Sequence, residues 1–160
     1  MPEINHEGNV VLKPLTEVFK VSGREWGGLT PYPSWSVLIE SAGLEILYRK
    51  TVGYYQGDYH VLVTDGSRFG YMDIAYGSCS GCDALQACEN SLEDLTDLRD
   101  RAINGIHWEL TKTQLLNWFS NRDWEVQPIF LSSSLSETAE AFNEMQKILH
   151  PNYKPEDSGA

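Results

Sequence analysis

A chain of 160 residues falls within the span of one domain, long enough to bury roughly 70% of its unfolded surface without staples. Its hydrophobic fraction of 41% excludes a disordered composition, and no run approaches the roughly 20 apolar residues of a transmembrane helix. The 23 acidic against 12 basic side chains leave a net charge of −11, which argues against direct binding to nucleic acid or membrane and favours a basic protein surface as partner.

Residues 1–33 are loop-rich. Val10-Val11-Leu12 and Val18-Phe19-Lys20-Val21 suggest short strands, and Gly23 to Gly28 with Pro31-Tyr32-Pro33 is loop chemistry. Met1 to Glu7 lacks the basic and apolar regions of a secretory leader. With three cysteines, an odd number, the expected compartment is a reducing cytoplasm. Ser34 to Ala42 is expected to form a short helix stopped by Gly43, and the aliphatic run Leu44 to Val52 a strand ended by Gly53.

Asp58 to Thr64 and Arg68 to Tyr76 are strand-like runs around Asp65-Gly66, a dipeptide favoured in two-residue type I′ turns. That turn pairs Thr64 with Ser67 and Val61 with Gly70, and sets His60 opposite Tyr71. Tyr59, Val61, Val63, Met72 and Ile74 then share one face, expected to be the core side. His60, Leu62, Phe69, Tyr71 and Asp73 fall on the other.

A long helix capped by Asp83 is expected next, with Leu85, Cys88, Leu92, Leu95, Leu98 and Ala102 at helical spacing, ending at Gly105. Thr111 with Gln114 fits a capping box that opens a helix carrying Leu115, Leu116 and Trp118-Phe119. Trp124 to Phe130 reads as an edge strand because of Pro128. Ser134 with Glu137 fits a second capping box, opening a final helix through Phe142, Met145 and Leu149. The whole predicts one α+β domain over residues 1–151, an antiparallel sheet with a central hairpin and helices on one side. Residues 152–160 are expected to be a disordered tail.

The most unusual segment is Gly77-Ser78-Cys79-Ser80-Gly81-Cys82-Asp83-Ala84-Leu85-Gln86-Ala87-Cys88. Its glycines and serines bend the chain between strand and helix, and a helix start favours a thiolate. Cys79, Cys82 and Cys88 are therefore candidates for a zinc site, a redox pair or a nucleophile. Each chemistry lacks a piece. From Cys88 a helix to Ile103 rises about 22 Å, and the four residues on to His107 return at most about 14 Å. His107 is thus a poor fourth zinc ligand, which leaves Asp83 or water. The pair follows an antiparallel hairpin rather than the βαβ setting of a thioredoxin-type centre, and no histidine is placed beside the turn as a base. Small thiols packing a tight junction is the alternative. No cofactor is expected outside the zinc reading.

The stretch from Tyr55-Gln56-Gly57-Asp58-Tyr59 through this cysteine motif resembles an uncharacterised family of small proteins found in bacteriophages and some bacteria. The resemblance covers roughly residues 54 to 120 and implies no catalytic residue and no activity. It does imply a context, because small acidic phage proteins often act by binding and disabling a host protein.

On the expected long helix Glu89, Glu93, Asp97 and Asp100 follow steps of four, four and three, with Asp94 beside them. Such neighbours rise about 6 Å apart, close to the phosphate spacing of a nucleic-acid strand, so the stripe is a candidate partner-binding surface. Glu137, Glu140 and Glu144 repeat the pattern on the last helix. A solvated amphipathic face explains the same stripe. Trp108, Trp118, Trp124, Tyr54, Tyr55 and Tyr59 are candidate contact aromatics or corners of the core. Phosphate-loop, His-Glu-x-x-His and Gly-x-Ser-x-Gly motifs are all missing. Asp58, Asp65 and Asp73 suggest paired carboxylates, although the turn accounts for Asp65. The expected function is a non-enzymatic acidic binding protein, such as a phage inhibitor of a host defence protein acting at its basic, nucleic-acid-binding surface. A zinc or thiol-redox protein and a structural phage component are the alternatives.

Overall fold

The computed structural model describes residues 2–21, 29–30, 33–53, 57–77, 84–88, 91–121 and 131–153. After a single bridge between Ile4 and Val10 and a 3-10 turn at Leu15–Glu17, strand β1 (Lys20–Val21) pairs with β2 (Leu29–Thr30). Helix α1 (Trp35–Ser41) starts where expected, with Ser34 Oγ accepting from the Val37 N–H at 3.2 Å. It stops at Gly43, whose φ of +79° is the left-handed conformation that glycine adopts without strain.

Strands β3 (Glu45–Gly53), β4 (Gly57–Thr64), β5 (Phe69–Tyr76) and β6 (His107–Glu109) form one antiparallel sheet in that order. Between β5 and β6 the chain passes through α2 (Ala84–Cys88) and α3 (Leu92–Asn104); α4 (Lys112–Asn121) and α5 (Leu131–Leu149) follow. This is the α+β fold with the central hairpin that the alternation of β4 and β5 predicts. Gly57 closes the β3–β4 end tightly, since a Cβ there would lie 1.8 Å from the Val52 carbonyl oxygen.

The helices cover both faces of the sheet, which corrects the expectation of one. Val61, Val63, Met72 and Ile74 pack with Ile39 of α1, Ile103 of α3 and Val10. Leu62 and Tyr71 point the other way, against Leu115 and Phe119 of α4 and Ala141, Met145 and Leu149 of α5. Strand β4 is buried from His60 onward for this reason, as expected of a strand covered on both sides. A third cluster joins Leu15, Phe19 and Leu29 to Leu38, Cys88 and Leu95.

The hairpin register also differs from the expected one. Thr64 pairs with Phe69, Val61 with Met72 and His60 with Asp73. The turn takes four residues because Asp65 clasps it. Asp65 Oδ1 accepts from the Ser67 N–H (2.8 Å), the Ser67 hydroxyl (3.0 Å) and the Arg68 N–H (2.6 Å), while Oδ2 receives Arg68 Nε at 2.8 Å. The shift is two residues, so every side chain keeps its expected face.

Two helix expectations change as well. The long helix is two helices, because Ser91 caps α3 afresh by accepting from the Asp94 N–H at 3.2 Å. Helix α5 begins at Leu131, so Ser134 lies inside it rather than at its start. The expected cap at Asp83 and the expected strand Trp124 to Phe130 lie outside the described residues. Asn152 and Tyr153, assigned to the tail, continue α5 in a turn whose Tyr153 N–H donates to the His150 carbonyl at 3.0 Å.

Candidate functional site

Three places carry the chemistry that the sequence suggests: the end of α2, the outer face of α3, and the far side of the β4–β5 hairpin. Cys79 and Cys82 lie outside the described residues. Cys88 is buried in the third core cluster beside Leu85 and Leu92, and its Sγ donates to the Ala84 carbonyl at 3.1 Å. A thiol so placed packs as a small hydrophobe.

Of the acidic stripe, Glu89 lies outside the described residues. Glu93, Asp94 and Asp97 are exposed on α3, and no cation of the described residues lies within ion-pair distance of their carboxylates. Glu93 and Asp94 occupy the first turn, where the helix dipole favours negative charge. Asp100 is half-buried, and its Oδ1 accepts from Arg99 Nε at 3.0 Å. Arg99 is only 1% exposed; its Nη2 donates to the Lys13 carbonyl at 2.7 Å and its Nη1 to Ser41 Oγ at 3.3 Å. Asp100 thus helps to anchor a buried guanidinium that ties α3 to α1 and to the N-terminal segment.

The acidic residues of α5 are engaged differently. Lys50 on β3 sits 3.3 Å from Glu140 and 3.6 Å from Glu144. The Tyr48 hydroxyl donates to Glu144, and Glu137 accepts from the Gly53 N–H at 3.1 Å. Burial pushes the Tyr48 phenol well above its ordinary pKa, and the Glu144 hydrogen bond with the Glu144 and Glu140 charges pushes it further. These carboxylates therefore dock α5 onto β3.

The aromatic residues also meet internal partners. The Arg68 guanidinium lies 4.5 Å from the Trp108 ring centre, and Trp118 stacks on His107 at 3.8 Å. Tyr59 is half-buried, with its hydroxyl 3.3 Å from Ser36 Oγ. Tyr54, Tyr55 and Trp124 lie outside the described residues. His107 Nε2 is 3.0 Å from Glu109 Oε1.

On the α4–α5 side of the hairpin the observed register brings Asp58, His60 and Asp73 together. His60 faces Asp73 across the strands, and Asp58 lies two residues before His60 on the same face. One donor atom from each lies within 4.8 Å of the others. His60 is 3% exposed, whereas both carboxylates are exposed. The imidazole Nδ1 is 2.8 Å from the Tyr71 hydroxyl, and the Phe142 ring packs edge-on at 5.5 Å. Its Nε2 is buried with no hydrogen-bond partner among the described residues. Burial pushes the His60 pKa below its ordinary value, against a smaller upward pull from Asp58. The two carboxylates are visible in the sequence, and the four-residue turn sets His60 directly opposite Asp73 where the expected turn set it opposite Tyr71.

The chain matches no family model, no curated protein and no solved structure. Among the described residues, no helix is long and apolar enough to cross a membrane.

Proposed function

We propose that this chain is a non-enzymatic binding protein that presents the outer face of α3 to a basic protein surface. The observation that supports this reading is a contrast between two acidic helices. On α5, Glu137, Glu140 and Glu144 are engaged by β3. On α3, Glu93, Asp94 and Asp97 stand exposed without a cation partner among the described residues. The net charge of −11 adds a long-range field of the same sign, which steers a basic partner toward the molecule.

The resemblance of residues 54 to 120 to small phage and bacterial proteins supplies the finer part of the proposal. The partner is then a host defence protein, engaged at its nucleic-acid-binding surface in the host cytoplasm. The reading calls for no catalytic residue.

The test is recovery of a partner from host lysate on the tagged protein, at low and at high salt, beside the double variant Glu93→Lys/Asp97→Lys. A near-stoichiometric basic partner held at low salt and lost at high salt is expected. The double variant should bind it more weakly and with a flatter salt dependence. Equal binding by the native chain and the variant would refute the role of α3.

A further inference from the structure

We infer that Asp58, His60 and Asp73 form a binding site for a divalent transition-metal cation of the zinc and manganese class, with the His60 ring as the buried ligand and the two carboxylates as the exposed ones. This goes beyond the binding reading and does not depend on it, because the site lies on the β4–β5 hairpin and uses none of the α3 carboxylates.

The first support is convergence. The pairing of His60 with Asp73, together with the two-residue repeat from Asp58 to His60, puts all three side chains on one face. Their donor atoms already lie within 4.8 Å of one another. Ligands about 2.1 Å from a tetrahedral zinc sit about 3.4 Å apart. The remaining adjustment is therefore small and falls on two exposed side chains.

The second support is independent of the acidic residues. His60 is 3% exposed and its Nε2 has no hydrogen-bond partner among the described residues. A buried ring nitrogen left unpaired costs free energy, so its persistence calls for an occupant. The opposite nitrogen explains why Nε2 is the one available. Nδ1 lies 2.8 Å from the Tyr71 hydroxyl, and in the tautomer that donates Nδ1–H to it the lone pair resides on Nε2. Metal-bound histidines are oriented in this way by a partner on the other nitrogen. The Tyr71 and Phe142 rings, at 6.2 and 5.5 Å, restrict the imidazole further.

The donor set selects the ion. One imidazole and two carboxylates suit zinc, manganese or ferrous iron, whereas a site for Cu(I) wants thiolate or thioether and calcium wants oxygen alone. The exposed side leaves positions for water, so the ion enters from solvent.

The test is calorimetric titration of the full chain with zinc chloride and with manganese chloride, beside Asp58→Asn, Asp73→Asn and, as a control on α3, Asp94→Asn. One equivalent is expected to bind the native chain, weakened about tenfold or more by either hairpin substitution and unchanged by the control. Manganese should also broaden the amide resonances of residues 58–60 and 72–74 in the native chain, a readout that needs no variant. Cobalt binding should give no thiolate charge-transfer absorption. Absence of saturable binding, equal affinity in all the variants, or a thiolate band placing the ion on the cysteines would each overturn the assignment.

Discussion

Replacing Asp65 by Asn removes a charge while keeping the shape of the turn. The Asp65 side chain is 0% exposed and that of Arg68 16%, so solvent screens their 2.8 Å contact little. In D65N the amide oxygen can still accept from the Ser67 and Arg68 N–H groups, but the amide nitrogen meets Arg68 Nε donor to donor. A charge-assisted hydrogen bond of this kind contributes about 1.5–3 kcal/mol. At about 2–4 °C per kcal/mol for a chain of this size, Tm should fall by about 3–12 °C. The substitution also creates Asn-Gly, the dipeptide that most favours the two-residue turn. Cross-strand NOEs should therefore show some Thr64–Ser67 pairing beside Thr64–Phe69. Acid strengthens the test. Burial alone would raise the Asp65 pKa, but its hydrogen bonds from Arg68 and Ser67 together outweigh burial and hold it below the usual carboxylate value. Its contribution is therefore complete above the unfolded value of about 3.9 and lost as pH falls through the lower folded one. The stability gap between native and D65N chains should narrow below about pH 4. A D65N chain within about 0.5 kcal/mol of native at pH 7, with the register unchanged, would show that the clasp does not hold the turn.

Arg99→Ala should lower stability by about 3–4 kcal/mol in chemical denaturation, because it leaves a cavity and strips partners from the Lys13 carbonyl and Ser41. Arg99→Met, which fills the same space with apolar atoms, should cost clearly less. Equal losses in the two would mean that packing does not contribute. Gly70→Ala should lower the denaturation midpoint by the equivalent of about 1–3 kcal/mol. A Cβ at that position would lie 2.5 Å from Ile106 and 2.9 Å from the Trp108 ring, and a native midpoint would show that β6 yields freely.

Much of the fold is legible because its signals are short-range. Ser34 and Gly43 bracket α1 through one side-chain acceptor and one left-handed residue, both set by local chemistry. The alternation of β4 and β5 separates Val61 and Val63 from His60 and Leu62 whichever turn is chosen. Thr111 caps α4 by accepting from the Gln114 N–H at 3.1 Å, as its spacing implies. The second sheet face was harder to see. There His60 and Asp73 interrupt Leu62, Phe69 and Tyr71, so the face reads as solvated until α4 and α5 are seen to cover it. The break before α3 is masked in the sequence because Leu85, Cys88, Leu92 and Leu95 keep helical spacing across it.

The sequence by itself determined an acidic α+β chain, its central hairpin, the faces of that hairpin and most of its helices. Capping and periodicity act over a few residues, and each can be read from a window of the chain. Tertiary structure decided which charges matter. Glu140 and Glu144 become docking groups only because Lys50 and Tyr48 face them, and Arg99 becomes a core residue only because Lys13 and Ser41 meet it. The direct pairing of His60 with Asp73 likewise depends on a register two residues from the one the Asp-Gly turn suggests. A buried polar group is stable only with its partners, and those partners come from segments far apart in the chain.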